Sequence, residues 1–252
     1  MGIEILPHHA MDNSAGRWRE NLHIVLGAVV PGDHSRQTSA EKLAKDATRA
    51  LPRPLRVMDL GCGDGNSIDL FRGLDAGVHW TGLDIMNSPE VARRTRKDGD
   101  FRIFDGVEMP FENDSFDIVF SKQVFEHVRH PAPLLTEVRR VLRPGGLFIG
   151  STSHLEAYHS FSFWNYTPYG FLRLLADAGL APLELRPGID ALTLIMYRAL
   201  RRPRFFARWW STESPLNRCI GTFGRLRGME HDRINATKLL FCGQFCFNAK
   251  KI

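Results

Sequence analysis

The sequence predicts an α/β fold in which a largely parallel sheet is flanked by helices. From Leu55 onwards, short apolar runs of strand length alternate with segments of helical periodicity, which is typical of βαβ units. A glycine-rich turn follows the first of these runs, and acidic residues stand at the ends of the next two. Because open α/β sheets bind ligands at the carboxyl ends of their strands, these observations also predict where a ligand would bind.

The first strand is predicted at Arg56–Leu60, and the turn after it carries glycine at positions 61, 63 and 65. A dinucleotide fingerprint would need its third glycine one position later, where Asn66 stands, and no Gly-Lys-Ser/Thr follows for a nucleoside triphosphate. Asp59 would repel a pyrophosphate but suits a cationic group such as an ammonium or a sulfonium. The turn therefore favours a ligand that carries a positive charge.

A helix from about Asn66 to Leu74 and a second strand at Val78–Asp84 are expected next. Asp84 ends this strand about 20 residues after the turn, where a carboxylate can accept hydrogen bonds from both hydroxyls of a ribose. A plain helix cap is the alternative role for this acid. The later core elements are predicted as a helix around Val91–Lys97, strands at Phe101–Phe104 and Phe116–Ser121, a helix through Pro131–Leu142 ended by Pro144-Gly145-Gly146, and a fifth strand at Leu147–Ser151.

Several segments occur in the order found in class I S-adenosylmethionine (SAM)-dependent methyltransferases of the type 11 kind, which this chain resembles. They are the glycine turn at 57–67, the run 109–119 and the block 126–146. The resemblance covers about Leu55 to Ser153. It implies a Rossmann-like, doubly wound sheet of seven strands with an antiparallel last strand, with SAM as cofactor and S-adenosyl-L-homocysteine as product. Strands six and seven would then lie at Leu183–Leu185 and Phe241–Asn248.

On this basis the chain is divided into a helical cap (1–54), a methyltransferase core (55–187 and 239–252) and a helical insertion (188–238). Helices are expected through Trp18–Leu26, from Ser39 to Ala50, from Asp190 to Arg202 and from Ser214 to Arg227. Between Arg198 and Arg233 the sequence has nine arginines and three acids. Three roles stay open for the insertion: a lid over the acceptor, a membrane-docking segment, or a dimer surface.

The resemblance also implies site residues. Asp105, after strand three, matches the acid that binds the adenine amino group. The expected cofactor-binding residues are Asp59, Gly61, Cys62, Gly63, Asp84, Ile85, Asp105, Gly106, Ser121 and Lys122. The expected catalytic residues are His127, His154 and His159, and the expected substrate contacts are Gln123, Glu126, Glu156, Tyr158, Trp164 and Tyr166.

His127 is the leading candidate for a general base, because histidine titrates in the range that proton removal needs. A local bond within its turn is the alternative role. Quinone-biosynthesis O-methyltransferases carry a Glu-x-x-Glu-His motif that can bind a divalent metal, and here Gln123 replaces the first glutamate. An amide, a carboxylate and an imidazole make a poor site for a hard cation, so no metal is expected.

The expected activity is O-methylation of a sugar, a glycan precursor or another small hydroxylated acceptor, because 164–171 resembles a segment of methyltransferases from bacterial surface-glycan pathways. The alternatives are C- or N-methylation of a metabolite, a non-catalytic SAM-binding partner protein and a nicotinamide-dependent oxidoreductase, which Asn66 disfavours.

The composition limits the kinds of partner that are expected. The net charge of +5 permits an acidic acceptor, but no nucleic-acid recognition motif accompanies it. No apolar run approaches the roughly 20 residues that span a bilayer, and no signal segment is evident, so a cytoplasmic protein with reduced cysteines is expected. The expected partner is a small-molecule, glycan or lipid-linked acceptor. Peripheral membrane contact is expected through the insertion, and the protein is expected to be a monomer or a homodimer.

Overall fold

The computed structural model describes residues 22–23 and 25–252, and its centre is one seven-stranded sheet. The strands are β1 (Arg56–Leu60), β2 (His79–Ile85), β3 (Asp100–Phe104), β4 (Phe116–Lys122), β5 (Leu142–Ser153), β6 (Leu180–Pro187) and β7 (Gln244–Lys251). Their spatial order is β3-β2-β1-β4-β5-β7-β6. The first five strands pair in parallel, and β7 runs antiparallel between β5 and β6. The expected Rossmann-like sheet with an antiparallel last strand is confirmed.

The helices follow the capping signals of the sequence. They are α1 (Ala40–Ala47), α2 (Ser67–Leu74), α3 (Pro89–Arg93), α4 (Pro131–Val141), α5 (Pro168–Asp177), α6 (Ala191–Ala199), α7 (Pro215–Leu226) and α8 (His231–Leu240). The side chains of Ser39, Ser88, Thr167 and Asp190 each accept a hydrogen bond from a backbone N–H in the first turn of the helix that follows. Short 3-10 turns lie at Gly27–Val29, Thr48–Ala50, Phe125–His127 and Arg204–Trp210.

Two apolar clusters cover the two faces of the sheet. One contains Phe125, Phe148 and Phe171, and the other contains Phe71 and Phe120. In β4 every residue but the last is buried. Strands that are covered on both faces need apolar residues at consecutive positions, and this explains why the central strands appear as continuous apolar runs in the sequence.

Several predicted boundaries were wrong. The helix expected around Val91–Lys97 ends at Arg93, because Arg94 leaves the helical conformation and its Nε donates to the carbonyl of Gly63 at 2.7 Å. The helix before β5 ends at Val141, earlier than Pro144, because Leu142 already pairs with Phe116.

Helix α8 was missed by the sequence prediction, and β7 therefore begins later than the expected Phe241. Its buried side includes two polar residues, Asn235 and Lys238, so it lacks the apolar stripe that indicates a helix. Part of the helix expected through Trp18–Leu26 lies outside the described residues, and 22–23 and 25–26 are helical.

The segment before α1 and the region between β6 and β7 are packed together. The Gln37 amide donates to the Trp209 carbonyl, and its oxygen accepts hydrogen bonds from Ser214 and Asn217. Buried Lys238 contacts the Ser35 carbonyl and Glu213. These contacts place residues 31–39 and the insertion side by side. None of the helices in the described part of the chain is long and apolar enough to cross a membrane.

Candidate active site

The glycine turn lies at the carboxyl edge of the sheet, between β1 and β2. Gly61 has a φ of +71° and its N–H donates to the Leu83 carbonyl at 2.7 Å. A Cβ at position 61 would lie 2.4 Å from Cγ2 of Val124, so only glycine fits against the segment that follows β4. The Gly63 N–H donates to Oδ2 of Asp84 at 2.7 Å. The turn and the acid at the end of β2 are therefore joined directly.

Three acids lie at this edge, and their environments differ. Burial raises the pKa of Asp59 to about 7, although its carboxylate accepts a hydrogen bond from the Ser67 hydroxyl. Burial also raises the pKa of Asp84, against the lowering effect of the Gly63 and Ile85 N–H groups. Asp105 is exposed, and the N–H groups of Val107 and Glu108 lower its pKa.

These residues fit a nucleoside with a cationic side chain. The backbone at Gly61 and Gly63 offers a surface without Cβ atoms, and Asp84 and Asp105 are acceptors at the ends of two adjacent strands. Gly106, with a φ of +95°, follows Asp105 and turns the chain at this edge. The arrangement suits the adenosine and sulfonium of SAM better than a pyrophosphate, because the carboxyl groups of Asp59 and Asp84 are both buried at the turn.

The end of β4 brings further expected residues to this edge. Ser121 is buried, and its hydroxyl has no hydrogen-bond partner within the described part of the chain. Lys122 forms an ion pair with Glu41 of α1. Gln123 takes a φ of +56° and its N–H donates to the Ser151 carbonyl at 2.9 Å, so the chain turns sharply where β4 ends.

Two buried glutamates meet beyond this turn. Oγ of Ser153 lies 3.2 Å from Oε1 of Glu126 and 2.8 Å from Oε2 of Glu156. A hydroxyl has a single proton, so both contacts are hydrogen bonds only when one carboxyl is protonated. Burial raises the pKa of Glu126 to about 7. Glu156 instead forms an ion pair with the guanidinium of Arg198. The proton is therefore assigned to Glu126.

The expected catalytic histidines divide into two groups. The rings of His127 and His159 meet edge to face with centroids 5.1 Å apart, and Nδ1 of His159 lies 3.5 Å from Oε1 of Glu156. Burial, and then the neighbouring His159, lower the pKa of His127 and favour the neutral base. His154 is held elsewhere, because its Nδ1 contacts the Tyr166 carbonyl at 2.9 Å.

The insertion and β7 complete this cluster. Arg198 comes from α6, and Nε2 of Gln244, the first residue of β7, donates to Glu156 at 2.8 Å. Gln244 also lines a cavity of about 290 Å³. Its walls come from the start of α1, the end of β4 and the insertion: Thr38–Glu41, Lys122, Ser151, Gly188, Ile189, Trp210, Ser211, Gln244 and Cys246.

The side chains of the remaining expected residues make contacts other than with the two glutamate carboxyls. Tyr158 is exposed, Trp164 donates from Nε1 to the Val128 carbonyl at 2.9 Å, and Tyr166 is buried with its hydroxyl bonded to the Phe125 carbonyl. Cys62 is buried and Ile85 is exposed. Sequence reasoning missed Ser153, Arg198 and Gln244. No local signal marks Arg198 and Gln244, because each reaches Glu156 through the tertiary structure, whereas Ser153 lies only three residues before Glu156.

One set of side chains could hold a metal ion within the described ranges. The ligand atoms of Glu126, His127 and His159 lie within 4.8 Å of one another. This is a different set from the one judged at the sequence level, because His159 joins and Gln123 does not. A carboxylate with two imidazoles resembles sites that bind zinc. The absence of a metal requirement therefore stays a prediction.

The family described as "Methyltransferase domain" matches residues 58–150. Residues 58–150 therefore form a methyltransferase domain. The matched residues run from β1 into β5 and so include the glycine turn, the acids after β2 and β3, and the Glu126–His127 pair.

Two curated relatives are each similar to somewhat less than half of this chain. "Ubiquinone biosynthesis O-methyltransferase" of Cereibacter sphaeroides is 31% identical over 124 residues, which are 48% of this chain and 50% of that protein. "Demethylmenaquinone methyltransferase" of Renibacterium salmoninarum is 36% identical over 115 residues, 45% of this chain and 47% of that protein. The chain thus spans about half the length of the curated relatives it matches.

Solved structures resemble more of the chain, at low identity. A SAM-dependent methyltransferase from Aquifex aeolicus has a TM-score of 0.53 at 14% identity, covering 84% of this chain and 89% of that one. Geranyl diphosphate C-methyltransferase from Streptomyces coelicolor A3(2) has a TM-score of 0.55 at 15% identity, and the match covers 96% of this chain and 86% of that one. At these identities the likeness shows the fold.

Proposed function

We propose that this protein transfers the methyl group of SAM to an oxygen of a small hydroxylated acceptor. The contact between Val124 and Gly61 carries the proposal. It brings the segment with Gln123, Glu126 and His127 against the turn that would hold the cofactor. A methyl donor at the turn and an acceptor beside this segment would then be neighbours, as an in-line displacement needs.

On the cofactor side, each residue has a proposed role. Asp84 would accept hydrogen bonds from the ribose hydroxyls, and Asp105 would accept one from the adenine amino group. Asp59, with Ser121 and Lys122 beside it in the sheet, would face the methionyl end. Cys62, Ile85 and Gly106 would line the nucleoside through their backbone or their van der Waals surface.

On the acceptor side, bound SAM would supply an electrophilic methyl group. His127 would take the proton of the acceptor hydroxyl, because burial keeps its imidazole neutral and so able to accept a proton. Glu156 would stabilise the resulting imidazolium, and Ser153 would link Glu156 to protonated Glu126. The insertion and α1 would exclude water from the neighbouring cavity.

The acceptor class is the finer part of the proposal. A relative named for O-methylation in ubiquinone biosynthesis supports oxygen as the methylated atom and adds phenols to the candidate acceptors. Sugars, glycan precursors and lipid-linked forms are retained from the sequence resemblance. We further propose a cytoplasmic location, a monomer or homodimer, and the insertion (188–238) as a lid between the core segments 55–187 and 239–252.

Calorimetry tests the cofactor first, with SAM, S-adenosyl-L-homocysteine and NAD as separate ligands. Micromolar binding of the first two and none of NAD is expected. The second step screens phenols, nucleotide sugars and glycolipids for methylated product by mass spectrometry. SAM binding with no product from any acceptor would favour a non-catalytic binding protein. Absence of SAM binding would refute the whole proposal.

A further inference from the structure

The outer side of α6 has an unusual distribution of apolar residues. Leu192, Ile195, Met196 and Leu200 recur at helical spacing and are between 42% and 56% exposed, whereas Ala191 and Leu194 on the other side are buried. Phe205, in the 3-10 turn that follows along the chain, is 58% exposed as well. Single exposed apolar residues are ordinary, but a contiguous row on one helix indicates an interaction surface.

Four arginines follow this row along the chain. Arg201, Arg202, Arg204 and Arg208 are all exposed. The ion pairs of this region join Arg198 to Glu156 and Lys238 to Glu213. Within the described part of the chain, these four arginines take part in no ion pair. Between 191 and 212 the sequence has no acidic residue. The nearest acid before it, Asp190, is fully buried as the cap of α6.

We infer that the apolar row of α6 and its four arginines form a docking surface for an anionic lipid bilayer. The apolar side chains would enter the boundary between headgroups and acyl chains, and the guanidinium groups would pair with lipid phosphates. Charge complementarity favours this occupant over a second copy of the chain, because symmetric docking would bring two sets of arginines together with no carboxylate of the surface to neutralise them.

The position of the surface connects it with the candidate active site. Both α6 and the loop after β5 leave the same edge of the sheet, and Arg198 of α6 holds Glu156 of that loop. The loop exposes Tyr158, Phe161, Phe163 and Trp164. Docking through α6 would therefore bring this edge of the sheet, and with it the candidate active site, toward the bilayer, where a lipid-linked acceptor resides. The binding itself does not depend on methyl transfer.

Vesicle sedimentation tests this inference with the full chain. Binding is expected to vesicles of phosphatidylcholine mixed with phosphatidylglycerol, with much less to phosphatidylcholine alone, and it should weaken as salt is added. The double substitution Arg201→Gln and Arg202→Gln should weaken vesicle binding about 30-fold, since each basic residue near an anionic surface raises the affinity roughly fivefold. Leu192→Ser with Ile195→Ser should weaken it at least about tenfold.

The matched control is Arg56→Gln with Arg102→Gln. It removes the same charge from exposed positions on β1 and β3, away from α6. This variant should bind vesicles almost as the unchanged protein does, and SAM calorimetry should show that all variants are folded. An equal loss of vesicle binding in the control and test variants, or equal binding to both kinds of vesicle, would overturn the inference. The inference would also be overturned if the protein were a dimer and only the variant with Leu192→Ser and Ile195→Ser were monomeric, since a second copy would then cover this surface.

Discussion

The two halves of the carboxyl edge are built in different ways. The cofactor half, between β1 and β3, consists of backbone groups and acids that follow their strands directly, such as Gly63 and Asp84. The acceptor half gathers Glu126, Glu156 and Arg198 from three separate regions of the chain. The first half could be recognised from short motifs, whereas the second depends on how the insertion packs. Substitutions in the two halves should therefore affect different quantities.

The largest effect is expected from His127→Ala in the acceptor half. If His127 takes the acceptor proton, turnover should fall about 100-fold or more while SAM affinity is unchanged. The measurement is the methylation rate with calorimetry on the same preparation. His130→Ala, an exposed histidine nearby, is the control and should leave the rate unchanged. An unaltered rate in the His127 variant would assign that residue a purely structural role.

Glu126→Gln should alter the pH dependence of stability. Because the folded pKa of Glu126 is raised to about 7, its contribution to stability is present below its unfolded pKa and is lost as pH rises through about 7. This group should lower the free energy of unfolding by up to about 3 kcal/mol between about pH 5 and about pH 8.

Urea denaturation at the two pH values measures this change. In the Glu126→Gln variant the free energy of unfolding should decrease less between the two pH values. Part of the decrease should remain, because the pKa of Asp59 is also raised. Glu112→Gln, at an exposed position, is the control and should retain the full decrease. Identical pH dependence in the Glu126 variant and the unchanged protein would contradict the protonated assignment.

Asp84→Ala tests the cofactor half. SAM affinity should fall by one to two orders of magnitude, about the loss of two hydrogen bonds to a charged acceptor. Calorimetry provides the measurement, and Asp100→Ala, an exposed acid at the start of β3, is the control. Retained affinity in the Asp84 variant would exclude the ribose role.

The smallest effect is expected from metal removal. Treatment with a chelator should leave the methylation rate unchanged, and elemental analysis of the purified protein should find no stoichiometric metal. A bound transition metal that disappears in His159→Ala would contradict this expectation and assign the Glu126, His127 and His159 set to metal binding.

The cofactor half was predictable because its signals are local. A buried strand, a glycine turn and an acid at the end of the next strand need only the βαβ geometry to meet, and Asp84 does contact Gly63. The boundaries were less predictable. Where β5 begins depends on the pairing of Leu142 with Phe116, and α8 has polar residues on its buried side, so neither follows from periodicity.

The sequence by itself determined the fold class, the antiparallel last strand implied by the resemblance, and the candidate cofactor turn. Only the tertiary structure decided which residues surround Glu156. Gln244 and Arg198 come from distant parts of the chain, and they meet there because the region between β6 and β7 folds back over the sheet edge. Contacts of that kind depend on long-range packing, whereas a turn and its strand depend on neighbouring residues, and this is why only the latter could be predicted.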